Sequence, residues 1–597
     1  MIKNLRASSL SSKIKLGLSG LLAALLIACQ GPKDKNASEI LGHPDYPAIA
    51  YGGYRNVDRS QAPSIDDIKE DLILLDVMGI RVLRTYHARL YEHTPNLLRA
   101  IREMRAQDPS FEMYVMLGAW MQCEGAFSDS PDHNKPDSIE NQAEIDQAIK
   151  LAKEYPEIVK VIAVGNESMV HWAASYYVHP RIILKAVNHL QQLKADGELA
   201  SDLWITSSDN FASWGGGEEA YHVAALDSLI RAVDYLSVHS YPFHDTHYNP
   251  NWWWMPEGQD TLPKFKILKL AVGRAVNRVD EQIAAVRSYL QDLGLEKEIH
   301  IGETGWASSD NNLYGKEGSG AADEYKQMLY HLWIRSYCHE NEMACFYFEA
   351  FDEPWKDGNN PGGSENHFGV ITVDGAVKMP LWNSFDQGVF EGLSRNGKPI
   401  RKSLEGDVDR AIEESTLPPL LEHQSAIRLQ RNDSLIEAVS IWGNAGDRAA
   451  YGADAFLTIS PWESTCKMIV NENQELLIIG GTGDWWGGSC SLKAALDLSE
   501  FSDGYMELDI CGSSEATFQI GFQSGQYNEG DQEDAFISIG PKEEFHLEPE
   551  IKRIRVALKN IKAETNLSDV RSPLFIKGLS NFDGKEIRIK RMAFTRF

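Results

Sequence analysis

Between Pro47 and about Leu393, short apolar runs alternate with longer segments whose apolar residues recur every three to four positions. That alternation of periods is the signature of strands interleaved with amphipathic helices. Runs at Ala48 to Gly52, Val82 to Tyr86, Met113 to Gly118 and Val159 to Val164 read as four strands. Leu203 to Ser207, Tyr235 to His239, Ile299 to Glu303 and Cys345 to Phe351 read as four more. Helical patterns cover Ser64 to Met78, Asn96 to Arg105, Ile139 to Glu154, Arg181 to Asp196, Val279 to Leu293 and Ala322 to Glu340. Ser64 followed by Asp66 and Asp67 suits a helix N-cap. Eight strands with crossover helices predict an α/β fold, a (β/α)₈ TIM barrel.

Around Gly397 to Pro419 the pattern breaks into a charged, Pro-containing stretch, and from about Gly452 the apolar period becomes two. Tyr505-Met-Glu-Leu-Asp-Ile510, Thr517-Phe-Gln-Ile-Gly-Phe522, Arg553-Ile-Arg-Val-Ala-Leu558 and Glu586-Ile-Arg-Ile-Lys590 show it. Antiparallel strands of this kind predict an all-β jelly-roll or β-sandwich domain after the barrel. The expected division is a signal peptide at 1–28, a tether at 29–45, the barrel at 46–395, a connector at 396–451 and the sandwich at 452–597.

Lys3, Arg6, Lys13 and Lys15 precede an apolar run from Leu16 to Ala28, which is too short to span a membrane comfortably and has the shape of a secretion signal. Leu26-Ile-Ala-Cys29 resembles a bacterial lipobox, with Cys29 as the lipidated residue; cleavage without lipid is the alternative. A protein held in the outer membrane by a lipid anchor, facing the periplasm or the cell exterior, is the expectation. Six cysteines remain, none in Cys-x-x-Cys spacing. Most read as buried thiols, and Cys466 with Cys490 is the pair most worth testing for a disulfide. The net charge of -28 argues against nucleic acid and against anionic polysaccharide as partners, and favours a neutral polymer.

Chemistry concentrates behind the strands, where barrels place it. Val161-Ile-Ala-Val-Gly-Asn-Glu167 and Ile299-His-Ile-Gly-Glu-Thr-Gly-Trp306 each deliver a glutamate at the end of a β-run. Entering one mouth from different sides, Glu167 and Glu303 can flank a glycosidic bond, one as acid and one as ionised carboxylate. Taken singly, either could instead be a rim salt-bridge partner. Trp120, Trp172, Trp214, Trp252, Trp253, Trp254, Trp306 and Trp355 are candidate sugar platforms, though the same rings could seal the barrel top. Asp209, His239 and His244 lack metal-ligand spacing and read as hydrogen-bonding rim residues. Neither a metal nor a cofactor is expected.

The Val-Gly-Asn-Glu167 and Gly-Glu303-Thr-Gly-Trp306 segments, with Ser240-Tyr-Pro-Phe243, Phe348-Glu-Ala-Phe-Asp-Glu-Pro-Trp-Lys356, Glu365-Asn-His-Phe-Gly-Val370 and Arg84-Thr-Tyr86, resemble glycoside hydrolase family 17, the β-1,3-glucanases. The resemblance runs from about Tyr46 to Trp382 and departs from the plant pattern at Tyr51-Gly-Gly-Tyr54. It implies retaining hydrolysis of a neutral, laminarin-like β-glucan, with Glu167 as acid/base and Glu303 as nucleophile. It further implies that Asn166 bonds the sugar 2-hydroxyl and that Tyr241 orients the nucleophile. Glu353, Lys356 and Glu365 would form a supporting polar network, and Arg84, Tyr86, Trp306 and Trp355 complete the implied substrate-binding set. A β-1,3-glucanosyltransferase using the same residues and a catalytically silent glycan-binding lipoprotein are the competing readings. The C-terminal stretch, with Gly483-Asp-Trp-Trp-Gly-Gly488 and Asn581-Phe-Asp-Gly584, is similar to galactose-binding-like modules of polysaccharide hydrolases. Trp485 and Trp486 would there contact glycan or form a core edge.

Overall fold

Eight strands whose residues are nearly all buried follow one another around a closed parallel barrel: β1 (Ala48–Ala50), β2 (Val82–Arg84), β3 (Tyr114–Ala119), β4 (Val159–Asn166), β5 (Trp204–Asn210), β6 (Leu236–His239), β7 (Ile299–Gly305) and β8 (Cys345–Phe348). Each pairs with its sequence neighbour, and β1 closes on β8 through Ile49 and Tyr347. Burial on both faces is why these strands read as continuous apolar runs rather than alternating ones. The computed structural model describes residues 35–596 except 129, 257, 317, 421–437, 444–456, 463–464, 472, 474, 482–484, 493–494, 526–531, 562–565, 579–580 and 583. The lipidation expected at Cys29 lies outside the described residues.

Seven helices make the crossovers: α1 (Ile65–Val77), α2 (His93–Gln107), α3 (Ser138–Glu154), α4 (Pro180–Ala195), α5 (Ala224–Ala232), α6 (Lys264–Asp292) and α7 (Glu324–Glu340). Ser64 caps α1 as expected, its side chain accepting from the Asp67 amide while the Asp67 carboxylate accepts from the Ser64 amide. Two helices differ from the sequence reading. Nine-residue α5 has no counterpart in it, and α6 begins fifteen residues before the expected Val279. The early half of α6 carries Lys264, Lys266 and Lys269 between buried Ile267, Leu268, Ala271 and Val272, so its apolar stripe is narrow. Among the described residues no helix is long and apolar enough to cross a membrane.

The first part of the stretch expected as a connector, as far as Leu420, is attached to the barrel. The Lys264 ammonium donates to the Glu413 carbonyl, the Lys326 ammonium to the Thr416 carbonyl at 2.7 Å, and the Met255 amide to the Pro419 carbonyl at 2.7 Å. Ala411 buries its methyl in the barrel core. Residues 407–420 therefore form a strap along the barrel, ending beside the loop that follows β6.

Beyond it, β9 (Ala438–Trp442) already belongs to the sandwich, although it falls inside the expected connector. The remaining strands are β10 (Leu457–Pro461), β11 (Lys467–Val470), β12 (Leu476–Ile479), β13 (Trp486–Leu492), β14 (Tyr505–Gly512), β15 (Phe518–Ser524), β16 (Glu533–Ile539), β17 (Lys552–Ala557), β18 (Val570–Gly578) and β19 (Glu586–Thr595). One antiparallel sheet runs β11-β12-β19-β14-β17, with β9 also on β19, and the other runs β10-β13-β18-β15-β16. Their facing apolar side chains form a core separate from that of the barrel. The cysteines at 123, 338, 345, 466, 490 and 511 are buried free thiols; Cys466 and Cys490 are not joined, and the Cys466 thiol faces the Gly487 carbonyl.

Candidate active site

The carboxyl ends of β2, β4, β6 and β7 bring six polar side chains together. Arg84, at the end of β2 and only 1% exposed, donates from Nη1 to the Glu303 Oε2 at 2.6 Å and to the Gly302 carbonyl at 2.7 Å. Its Nη2 donates to the Asn166 side-chain oxygen. The Tyr241 hydroxyl donates to the other Glu303 oxygen at 2.7 Å. Glu303 thus has both oxygens engaged by donors. Glu167 lies in the same cavity, with its Oε1 at 3.0 Å from His239 Nδ1.

The backbone delivers Glu167 in an unusual way. Gly165 (φ 83°) and Glu167 (φ 47°) both adopt left-handed conformations, which for glutamate costs on the order of 1 kcal/mol or more. A Cβ on Gly165 would sit 2.9 Å from the Ser168 hydroxyl, so that position requires glycine. The strained turn is held by Ser168, whose hydroxyl donates to the Met121 carbonyl, and by Asp209, which accepts from the Met169 amide at 2.8 Å.

The two carboxyls titrate in opposite directions. Burial first, and then the Glu303 charge, push Glu167 well above the ordinary carboxylate range. Burial would raise Glu303 too, but Arg84 and the Tyr241 hydrogen bond outweigh it and hold that group well below. His239, desolvated and beside Arg84, is lowered to about 3 and is neutral; its Nε2 bonds the Ser208 hydroxyl at 2.7 Å. Near neutral pH the site presents one protonated and one ionised carboxyl, the division of labour that acid-assisted displacement needs.

A second polar group lines the same cavity. Buried Glu353 accepts from the Tyr54 amide and from the Trp355 indole N–H at 3.1 Å, and the Lys356 ammonium is 3.9 Å away. Burial opposes the Lys356 charge, yet Glu349, Glu353, Glu365 and Glu303 together keep it charged. The Tyr51-Gly-Gly-Tyr54 segment has its explanation here: a Cβ on Gly52 would overlap the Glu353 carboxylate, and Gly53 has φ +68°. Tyr86 lies under the Arg84 guanidinium at 4.7 Å and Glu365 lines the same cavity.

The tryptophans divide. Trp120, Trp172, Trp254 and Trp355 line the cavity, whereas Trp214, Trp253 and Trp306 are fully buried. Trp306, expected among the substrate contacts, packs behind the site and donates its indole N–H to the Ala321 carbonyl at 2.8 Å. Arg59, absent from the sequence reading, lies 3.8 Å above the Trp355 ring; nothing in its local sequence signals that role. Asp209, His239 and His244 do not converge. Asp209 serves Met169 and Ser213, His239 serves Glu167 and Ser208, and His244 bonds Tyr314.

The BtgE/BtgC glycoside hydrolase domain matches residues 48–369, which spans all eight barrel strands and both carboxyls. The chain belongs to this glycoside hydrolase family. The hydrolase is 55% identical to an endo-laminarinase of known structure from Formosa Hel1_33_131, covering 65% of this chain and 98% of that one with a TM-score of 0.64. A glucan 1,3-beta-glucosidase of Arthroderma benhamiae is 25% identical over 53% of this chain and 84% of its own length. A probable glucan endo-1,3-beta-glucosidase btgC of Aspergillus fumigatus is 24% identical over 56% of this chain, which spans 43% of that relative.

Proposed function

We propose that this glycoside hydrolase cleaves internal β-1,3-glucosidic bonds of a neutral glucan with retention. The observation that carries the reading is the pair of buried carboxyls in one cavity, Glu303 held between Arg84 and Tyr241 and Glu167 against His239. The activities for which the similar laminarinase and glucosidases are named support the choice of substrate. In the first step a Glu303 oxygen bonds to the anomeric carbon as its bond to the leaving oxygen breaks, and the Glu167 proton passes to that oxygen. Water then attacks the glycosyl-enzyme ester, giving its proton to Glu167 and releasing Glu303. Asn166, fixed by Arg84, is placed to bond the sugar 2-hydroxyl, and the Tyr241 hydroxyl steadies the nucleophile. The motifs quoted for family 17 support that finer placement.

Glu303→Gln is expected to lower turnover of an unbranched β-1,3-glucan roughly 10³-fold or more, since a residue that acts covalently has no substitute, while glucan binding persists. Appreciable sugar release by that variant would refute the nucleophile assignment. A product time course tests the rest: mixed oligomers early indicate internal cleavage, one small product indicates attack from an end, and oligomers longer than the donor indicate transfer. We also infer a lipid anchor at Cys29, with the hydrolase held in the outer membrane and facing the periplasm or the exterior. Incorporation of labelled fatty acid, lost in Cys29→Ser, is the test.

A further inference from the structure

The sandwich and the catalytic mouth share one cavity. It has a volume of about 2780 Å³, and its walls include Glu167, Glu303 and Trp355 from the barrel and Trp462, Trp485 and Ser489 from the sandwich. A pocket for a small molecule takes roughly 300–1,000 Å³, so this space suits a length of polymer. We propose that the β10-β13-β18-β15-β16 sheet supplies distal sugar subsites to the catalytic cleft, with Trp462 and Trp485 stacking on the chain being cut. The inference rests on the glucan reading above and adds to it where the rest of the chain lies.

Four observations point there. First, the rings of Trp462 and Trp485 are near-parallel, 6.2 Å apart and inclined by 14°, and Trp462 continues onto Phe575 at 6.1 Å and 20°. Both tryptophans are half-buried, so they keep open surface for the apolar CH faces of sugar rings. Second, the platform is built into its place: the Trp462 indole N–H donates to the Ser489 hydroxyl at 3.2 Å, and a Cβ on Gly487 would press to 2.7 Å from the ring. Third, strand alternation separates two faces. Trp486 and Cys490 of β13 enter the sandwich core, while Ser489 and Ser491 line the cavity, where Ser491 bonds Ser572 at 2.8 Å and Gln523 bonds Asp534 at 2.9 Å. Hydroxyls and an amide beside aromatic rings are the chemistry that recognises neutral sugars. Fourth, the strap leaves the barrel beside the loop after β6, on the mouth side, with Leu420 and exposed Tyr248 also lining the cavity.

The two readings left open for the Trp485–Trp486 pair divide between the two rings. Trp485 faces the cavity, but Trp486 is fully buried and stacks on Phe582 at 5.2 Å.

The test uses the full-length protein and soluble, unbranched β-1,3-glucan oligomers of graded length beside the long polymer. In Trp462→Ala/Trp485→Ala, kcat/KM on the polymer is expected to fall about tenfold, the equivalent of roughly 1.4 kcal/mol for two lost stacking partners. On a tetramer it is expected to stay within about twofold, because so short a chain is held by barrel subsites alone. Trp462→Phe/Trp485→Phe should recover most of the polymer rate. An unchanged polymer rate, or equal losses on tetramer and polymer, would overturn the inference while leaving the function intact. Failure of the wild type to cut any β-1,3-glucan would overturn the function reading and this inference with it.

Discussion

At the level of single residues, the proposed catalysis depends on keeping two acids in different charge states inside one cavity. The pH profile reports this directly. With Glu167 as the proposed acid, activity is expected to be lost as pH rises through that group's raised pKa. With Glu303 as the proposed nucleophile, it is also expected to be lost as pH falls through that group's depressed pKa. In Arg84→Gln the main influence lowering Glu303 is gone, so the acid limb of kcat/KM is expected to move to higher pH, and the maximum to drop by roughly 10²-fold. An acid limb that stays in place would show that Arg84 does not control the nucleophile. Both glutamates were legible in the sequence because each follows a β-run and a small residue. The role of neighbouring tryptophans was not: Trp306 and Trp486 adjoin chemistry-bearing motifs yet turn into cores, since facing depends on strand partners that are distant in the chain. Trp462 gave no signal for the same reason.

Among the elements, all eight barrel strands were readable because complete burial makes them short, unbroken apolar runs. Helix α5 escaped because nine residues hold too few turns for a clear period, and the start of α6 because lysines crowd its narrow stripe. The segment after β8 shows what pattern cannot display. Arg395, fully buried, clamps Asp71 of α1 through Nε at 2.8 Å and Nη2 at 3.2 Å, and Arg55 joins Asp71 at 3.1 Å. These residues are 324 positions apart in the Asp71 and Arg395 case, beyond any local signal. Asp71→Ala would leave the buried Arg395 guanidinium without its carboxylate, although Arg55 keeps Asp67 and Glu70, and is expected to destabilise the barrel by about 3–5 kcal/mol. Denaturant unfolding measures this, and a change under about 1 kcal/mol would show that the cluster does not hold α1 to the segment after the barrel.

For the molecule as a whole, the surplus of acidic groups gives a -28 charge that a neutral glucan does not feel. KM on such a glucan is expected to change less than about twofold between roughly 0.05 and 0.5 M salt, whereas a carboxymethylated glucan should bind better as salt screens the repulsion. A strong salt effect on the neutral polymer would mean that charged groups contact the substrate. Division into barrel and sandwich was visible in the change of period, but their shared cavity was not, because it arises from how the faces meet. The strap at 407–420 has a practical corollary for protein engineers. Its anchors at Glu413, Thr416 and Pro419 belong to the barrel, so a chimera that exchanges the sandwich for another module should be spliced after Leu420. A junction near Leu393, where the alternation of strands and helices ends, would strip an anchored girdle from the catalytic half.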